Sequence, residues 1–417
     1  MFFISVSMYF LSYFYRVSTA VVAHDLMSSF RIGAEQLGLL SSAYFYTFAL
    51  SQFPIGPMLD RVGPRITVST LGVVMACGSF IFAIGNSFVS CVIGRALIGL
   101  GASVACMGTF KILSNWFRPN EFGVLAAVTM ALGNIGAMTA TTPLALLIGW
   151  LGWQQSFMIM GIVTLFVAMM LFWYLRDYPP LIAIEQKNQA SKSMGLSAMG
   201  HDFYVIFKDY NFWLISILCF FWFGSFLGVQ GLWGGPYLMD VYHYSPKKAG
   251  NVLAMIAIGF LFGAPFLGFL SDRIRSRRKV IFWGLIVYTL TFIFLRKQVN
   301  LTHTWLLYPI FFSLGFFGSC GIICYAQVKE LFPLKISGTA MASANFFAFA
   351  GVALFQHLIG IVIEKFPIKL HGYNQEAYKT MFFVCIVAML IALLLYRLAH
   401  DTYAEHYPKV EQHLYNR

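Results

Sequence analysis

Arg16 stands inside an unbroken apolar run, residues 1–23, with Phe14 and Val17 beside it. If that run lies in lipid, a charge at such depth costs at least ~2.5 kcal/mol on insertion scales. Such a charge must face a cavity or a partner. Tyr9, Tyr13 and Ala20 fall at helical spacing from it, so one face is aromatic and polar. A guanidinium in that setting has two uses. It can pair permanently with an acid or a carbonyl, or it can hold a carboxylate or phosphate that comes and goes through two parallel hydrogen bonds. Gln52, Asn134, Gln230, Trp233 and Asn345 are further polar side chains deep in apolar runs. They suit substrate contact and equally suit interhelical hydrogen bonding. Arg95 and Lys111 are the other basic residues within runs. Arg95 has Asp25 as the best acid on its side, or can snorkel to the interface as Lys111 is expected to do. No acid lies deep: Asp60, Asp272 and Glu330 sit at one set of run ends, and Asp25, Asp240 and Glu364 at the other. Asp25, Glu364 and His357 are the candidates for proton coupling. His357 and Glu364 are seven apart and so share a helix face.

The chain around these residues has 417 positions, 59% hydrophobic and 11% charged. A soluble domain carries about 25% charged residues, so lipid must be the solvent for most of this surface. The net charge of +12 lies in short loops between apolar runs, which argues against nucleic acid as a partner. The seven cysteines all lie in apolar runs, without a paired or Cys/His spacing, so neither a metal site nor a disulfide framework is expected. No nucleophile–base motif or phosphate-cradling loop is present, so no enzyme and no cofactor is expected. The first run is too long for a signal-peptide core and lacks a basic segment before it, so it is expected to remain as the first helix.

A helix needs about 20 apolar residues to cross a bilayer. Twelve runs qualify: 1–23, 36–58, 65–85, 88–116, 121–148, 153–175, 211–239, 249–270, 279–296, 303–328, 337–364 and 378–399. The polar stretch 177–210, with Glu185, Lys187, Lys192, Asp202 and Lys208, divides them six and six. The expected organisation is a bundle over 1–176, a linker over 177–210, a second bundle over 211–400 and a tail over 401–417. With the N-terminus inside, 17 Lys and Arg fall on the inner side and 8 on the outer, with three inside helices, which accounts for all 28. That bias puts both termini in the cytoplasm. The halves repeat. Residues 56–65 read GPMLDRVGPR and residues 268–277 read GFLSDRIRSR, both Gly-x3-Asp-Arg-x3-Arg. Two six-helix units around a midplane site are a common transporter plan.

The stretch Gly56 to Arg65, between the second and third runs, resembles the loop signature of the major facilitator superfamily, and Gly268 to Arg277 is its echo in the second half. Gly94-Arg95-Ala96-Leu97-Ile98-Gly99-Leu100-Gly101-Ala102 resembles the family's fourth-helix signature. The resemblance implies an all-α membrane protein of twelve transmembrane helices in two pseudo-symmetric bundles. It implies a gating role for Asp60, Arg61, Arg65, Asp272 and Arg273, which would ion-pair with neighbouring helix ends in one conformation and release in another, and proton coupling through Arg95. The first run, with its Arg, is similar to that of the organic-anion symporters and organophosphate exchangers. Gln52 stands where the phosphate exchangers have Lys, and the seventh run has no Arg, which favours a single carboxylate over an organophosphate. Gly133, Gly136 and Pro143 are sparser than the Gly-Pro pattern of the drug exporters.

The expected function is secondary transport of a small anionic or zwitterionic solute, an organic anion or amino acid, by a monomer in a bacterial inner membrane, with a proton as a candidate coupling ion. Efflux of an amphiphile or siderophore is the second transport reading. A membrane sensor of transporter form is the alternative class, for which the 34-residue linker and short tail leave little signalling surface. In the seventh run, Gly234-Gly235-Pro236 is expected to bend the helix beside Gln230, Trp233 and Tyr237.

Overall fold

The computed structural model describes residues 2–177, 196–297, 304–369 and 372–403. Each of the twelve apolar runs forms a helical rod. In the first half these are α1 (Phe2–Val17, then Thr19–Phe30), α2 (Ala34–Arg61), α3 (Pro64–Ile84), α4 (Phe88–Ala102, then Ala105–Trp116), α5 (Pro119–Thr139, then Thr142–Leu151) and α6 (Trp153–Tyr174). In the second half they are α7 (Tyr210–Tyr242), α8 (Pro246–Ile274), α9 (Arg277–Lys297), α10 (Thr304–Leu331), α11 (Leu334–Glu364) and α12 (Gln375–Tyr396). Among the described residues, ten of these rods, α3 to α12, are long and apolar enough to cross a membrane. The other two have a physical reason to score lower. α1 is interrupted at Ser18, and α2 carries Glu35, Gln36, Gln52, Pro54, Pro57 and several hydroxyls. Of the expected linker, residues 178–195 with Glu185, Lys187 and Lys192 lie outside the described residues, as do 404–417 of the tail. Leu196–Lys208 is a further short helix rather than an irregular connection.

The rods start where the local chemistry satisfies free N–H groups. Pro64 and Pro246 open α3 and α8, where a missing N–H costs nothing. Asp209, Ser245 and Asn374 accept from the backbone N–H groups of Phe212, Lys248 and Ala377. Gly63 turns the chain between α2 and α3 at φ +92°, a conformation that favours glycine. Phe166, Trp173, Phe262, Phe269 and Leu394 stand exposed on the outer faces of their rods, as a lipid solvent permits.

We call the end that carries Phe2 and residues 397–403 proximal and the other end distal. The two halves meet along α2 and α11. There Gly38 lies against the Gln356 backbone, Phe45 stacks on Phe349, and Phe48 lies tilted against the same ring. They also meet at the distal ends of α5 and α8, where Thr142 Oγ1 lies 2.6 Å from Asn251 Oδ1 and a Cβ on Gly250 would reach the Thr142 backbone. Distal α1 and α7 are closer still: a Cβ on Gly235 would fall on the Ala20 carbonyl oxygen. At the proximal end, no hydrogen bond, ion pair or ring contact among the described residues joins α4 to α10. The distal end is closed in this conformation. Cysteines replacing Thr142 and Asn251 should therefore cross-link under mild oxidation and lock the distal end. Failure to cross-link in folded protein would contradict this arrangement as the resting one.

Candidate functional site

Five rods lose regular helical form within their length, and those of α1, α5 and α7 also line the candidate site. α1 is broken at Ser18 and α4 at Ser103–Val104. α5 is broken at Ala140–Thr141, just before Pro143. α7 contains a π-helical turn, Val229–Trp233, followed by Gly234-Gly235-Pro236. Pro236 has no N–H for the Leu232 carbonyl, so the chain widens ahead of it. α10 tightens into a 3₁₀ turn at Ser319–Ile322, where Gly321 admits the Trp222 ring and Trp222 Nε1 donates to the Gly318 carbonyl at 2.7 Å. Irregular backbone at this depth is tolerated only against protein or a wet cavity.

Arg16 lies just before the interruption of α1 at Ser18, buried and 5% exposed. Its guanidinium is held by aromatic faces: Tyr13 at 4.2 Å, Phe349 at 4.9 Å and Phe48 at 5.3 Å. Such contacts bind a cation without using its hydrogen-bond capacity. Arg16 Nε has no hydrogen-bond partner, and no carboxylate among the described residues pairs with Arg16. A cleft between the halves is lined by Tyr13, Arg16, Val17, Asn134, Ala137, Phe223, Phe226, Leu227, Gln230 and Phe260. The structure thus brings Arg16, Tyr13, Asn134 and Gln230 to one cavity. Tyr9 donates to Tyr13 Oη at 3.0 Å and fixes that ring from below. Asn134 Nδ2 donates to the Met130 carbonyl at 3.0 Å, which leaves its oxygen for other partners.

Three expected contributors stand elsewhere. Gln52 and Asn345 are joined to each other across the halves: Asn345 Nδ2 donates to Gln52 Oε1 at 3.0 Å and Asn345 Oδ1 accepts from Tyr325 at 2.8 Å. They pin α2 to α11 beside the cleft rather than lining it. Trp233 is buried behind the π turn, where Nε1 donates to the Gln356 carbonyl at 3.0 Å.

The charged candidates are rearranged relative to expectation. Arg95 is fully buried with Nη1 donating to the Tyr15 carbonyl at 2.9 Å and the Tyr44 ring 5.0 Å away. Asp25 is not its partner, and Arg95 Nε and Nη2 have none. Lys111 does not snorkel free but binds Asp60 at 2.8 Å. Asp60 therefore pairs with α4, not with its neighbours Arg61 and Arg65. Arg65 instead donates through Nε to the Phe172 carbonyl at 2.9 Å, and its backbone N–H caps onto Asp177 at 2.7 Å. The second half repeats the plan. The backbone N–H of Arg277 donates to Asp401 at 3.1 Å, and Arg277 bridges Asp272 at 2.6 Å and Glu330 at 3.0 Å. Asp272 pairs with Arg277 rather than Arg273, which is exposed. Each proximal cluster is confined to its own half.

Asp177 and Asp401 were missed by sequence reasoning, although each sits just after a run and is spaced to meet the third rod of its half. The distal pair His24 and Asp240 was missed as well. Nε2 of His24 lies 2.8 Å from Asp240 Oδ1. His357, half-buried on the α2 seam, has no hydrogen bond or ion pair among the described residues. Glu364 accepts from the Glu35 backbone N–H at 3.1 Å and the Tyr373 hydroxyl at 2.9 Å.

Comparison with known proteins agrees with this architecture. The family model described as Major Facilitator Superfamily matches residues 2–235 and 223–414. A probable hexose phosphate transport protein of Chlamydia muridarum is 26% identical over 410 residues, spanning 92% of this chain and 87% of that protein. A probable L-galactonate transporter of Escherichia coli (strain K12) is 24% identical over 385 residues, spanning 85% of this chain and 80% of that protein. In fold, the chain matches a bacterial homolog to the human lysosomal transporter Spinster, in an inward-facing and unoccupied conformation, with TM-score 0.78 and 18% identity over 97% of both chains. A family match over nearly the whole length, on a scaffold of long apolar rods in two halves, makes this chain a member of the major facilitator superfamily: an integral, multi-pass membrane transporter and not an enzyme.

Proposed function

We propose that the chain is a twelve-span secondary transporter that carries a small organic anion or amino acid by alternating access, as a monomer in a bacterial inner membrane with both termini cytoplasmic. The carrying observation is Arg16. It is a buried guanidinium at the cleft between the halves, held by ring faces and left without a carboxylate. A substrate anion would supply the missing partner in each cycle, with Tyr13, Asn134 and Gln230 arranged around it. The closed distal end and the unlinked proximal ends of α4 and α10 fit an inward-open member of that cycle.

The relatives' names point to anionic cargo, hexose phosphate in one and L-galactonate in the other. Between the two chemistries the site favours a single negative charge. α7 offers Gln230 rather than a second cation, Gln52 is engaged with Asn345, and Arg95 is turned to the Tyr15 carbonyl with Tyr44 against it.

A thermal-shift screen against carboxylates, amino acids and sugar phosphates should identify a ligand, because binding raises apparent stability. Arg16→Lys should then weaken it by roughly 1.5–3 kcal/mol, the range of a hydrogen bond to a charged group, because the planar fork is lost. Arg16→Ala should abolish binding. The neutral amide of that ligand should bind wild type poorly and lose little in the mutants. Equal losses for acid and amide would make Arg16 a structural residue.

The proximal clusters are proposed to gate. Asp60→Asn releases Lys111, and since both side chains are substantially exposed the variant should lose less than about 1 kcal/mol of stability. Uptake into proteoliposomes should slow while ligand affinity in detergent stays at the wild-type value. An affinity collapse with normal turnover would refute gating.

A further inference from the structure

The closed distal end is fastened by a group of titratable side chains that the cleft does not use. Asp240, near the end of α7, is almost completely buried, with 2% of its side chain exposed. Its Oδ2 accepts from the Tyr378 hydroxyl of α12 at 2.6 Å and from the Tyr373 backbone N–H at 2.9 Å. Its Oδ1 is buried without a hydrogen-bond partner. Yet that oxygen is 2.8 Å from Nε2 of His24, on α1 of the opposite half. The approach is thus an electrostatic one that lacks hydrogen-bond alignment. His24 is 40% exposed, so its ring reaches solvent at the distal end while its nitrogen faces the buried oxygen.

We propose that His24 and Asp240 form a proton-binding latch, in which a proton taken up by His24 from the distal solution holds the two halves closed at that end. The proposal rests on the alternating-access part of the function above and not on the identity of the substrate. When the imidazole is charged, it attracts the Asp240 carboxylate and supplies a donor towards Oδ1. When it is neutral, the charge attraction is gone, and one of its two tautomers turns a lone pair towards Oδ1. The latch is therefore made when His24 carries its second proton and released when it does not.

Titratable groups from the elements packed against this pair surround it, and the Asp25 carboxyl also interacts with His24. From α1, Asp25 flanks His24 and is partly exposed. From α7, Tyr237 and Tyr242 bond to each other at 3.3 Å. From α12 comes Tyr378, and from the hairpin β1 (Ile368–Lys369) and β2 (Gly372–Tyr373) comes Tyr373. Burial, with Glu364 and Asp240 nearby, pushes the Tyr373 hydroxyl up to about 12 despite the Ala34 N–H that it accepts. It stays a donor to Glu364 throughout the range in which a histidine changes charge. The hairpin packs tightly against the carboxylate, since Gly372 has φ +110° and a Cβ there would overlap Asp240. Through Tyr373 the hairpin also reaches the start of α2, at the Ala34 N–H. A change at Asp240 is thereby felt by α1, α2, α7, α11 and α12.

The test is the distance between spin labels on Ser28 and Lys247, both exposed at the distal end, in full-length protein in lipid nanodiscs. Wild type should be closed near pH 5, and the separated fraction should rise about fivefold or more by pH 8, the interval in which histidine titrates. His24→Gln should show a raised separated fraction with no pH response. His24→Lys, cationic throughout, should stay closed at both pH values. Asp240→Asn should lose the response as well. A pH response retained in His24→Gln, or none in wild type, overturns the latch. The response should persist in Arg16→Ala, so retention of ligand binding there would refute the anion site and leave the latch standing.

Discussion

A guanidinium without a permanent acid, buried where lipid surrounds the protein, is the constraint on which the remaining architecture turns. The cost of Arg16 at that depth has to be met continuously, with substrate or without. The structure meets it with ring faces from three rods: Tyr13 on α1, Phe48 on α2 and Phe349 on α11. Two of those rods come from one half and one from the other. Holding the cation therefore requires the α2–α11 seam to be closed at this level, and the small residue Gly38 and the packed rings of Phe45, Phe48 and Phe349 allow it. Because π faces offer no acceptor in the plane of the guanidinium, Nε is left without a hydrogen-bond partner. A carboxylate partner supplied by the protein would have satisfied the charge and used up the fork with it.

Much of this was legible in the chain. The twelve apolar runs coincide with the twelve rods, and 88–116 agrees at both ends. The Gly-x3-Asp-Arg-x3-Arg repeat marks corresponding turns in the two halves. Periodicity also placed Tyr13 on the face of Arg16, because residues three apart in a helix share a side. What the sequence could not carry is which rods face each other. Asp60 has Arg61 and Arg65 as sequence neighbours, but from the end of a helix its side chain reaches Lys111 on α4 instead. Asp25 and Arg95 are on the same side by counting, yet Arg95 turns to the Tyr15 carbonyl. Trp233 was read as lining because it adjoins the bend. The π turn adds a residue to the helical circuit there and rotates that indole to the Gln356 carbonyl, behind the cleft.

The proximal clusters show how duplication stores information that spacing alone hides. Asp177 caps the Arg65 N–H, and Asp401 caps the Arg277 N–H. In both halves an acid just beyond the sixth rod neutralises the start of the third, where helix dipole and free N–H groups favour a negative charge. Neither acid is in the repeated motif, so neither could be found by matching 56–65 to 268–277. In the second half Arg277 takes on more, bridging Asp272 and Glu330 at once. In the first half Lys111 holds Asp60, while the Arg65 guanidinium turns to the Phe172 carbonyl. The halves are alike in backbone plan and unlike in the pairing of their charges.

The helix breaks would let the proposed anion site and the proposed latch act on one another. Both are carried by the same two rods. Arg16 and His24 lie on either side of the interruption at Ser18 in α1, and Gln230 and Asp240 lie within and beyond the π turn of α7. A continuous helix would transmit a displacement as a rigid shaft. A rod broken at Ser18, or widened ahead of Pro236, lets the distal segment change its contact while the segment at the cleft keeps its own packing. The distal segments meet where Gly235 lies against the Ala20 carbonyl, a contact with no room for even a methyl group. So close an approach is either made or broken, with little between. A bistable contact of that kind is what coupling between two sites requires, since a ligand shifts an equilibrium only by its difference in affinity for the two states. In this scheme an anion at Arg16 and a proton at His24 bias the same α1–α7 contact from opposite ends of it.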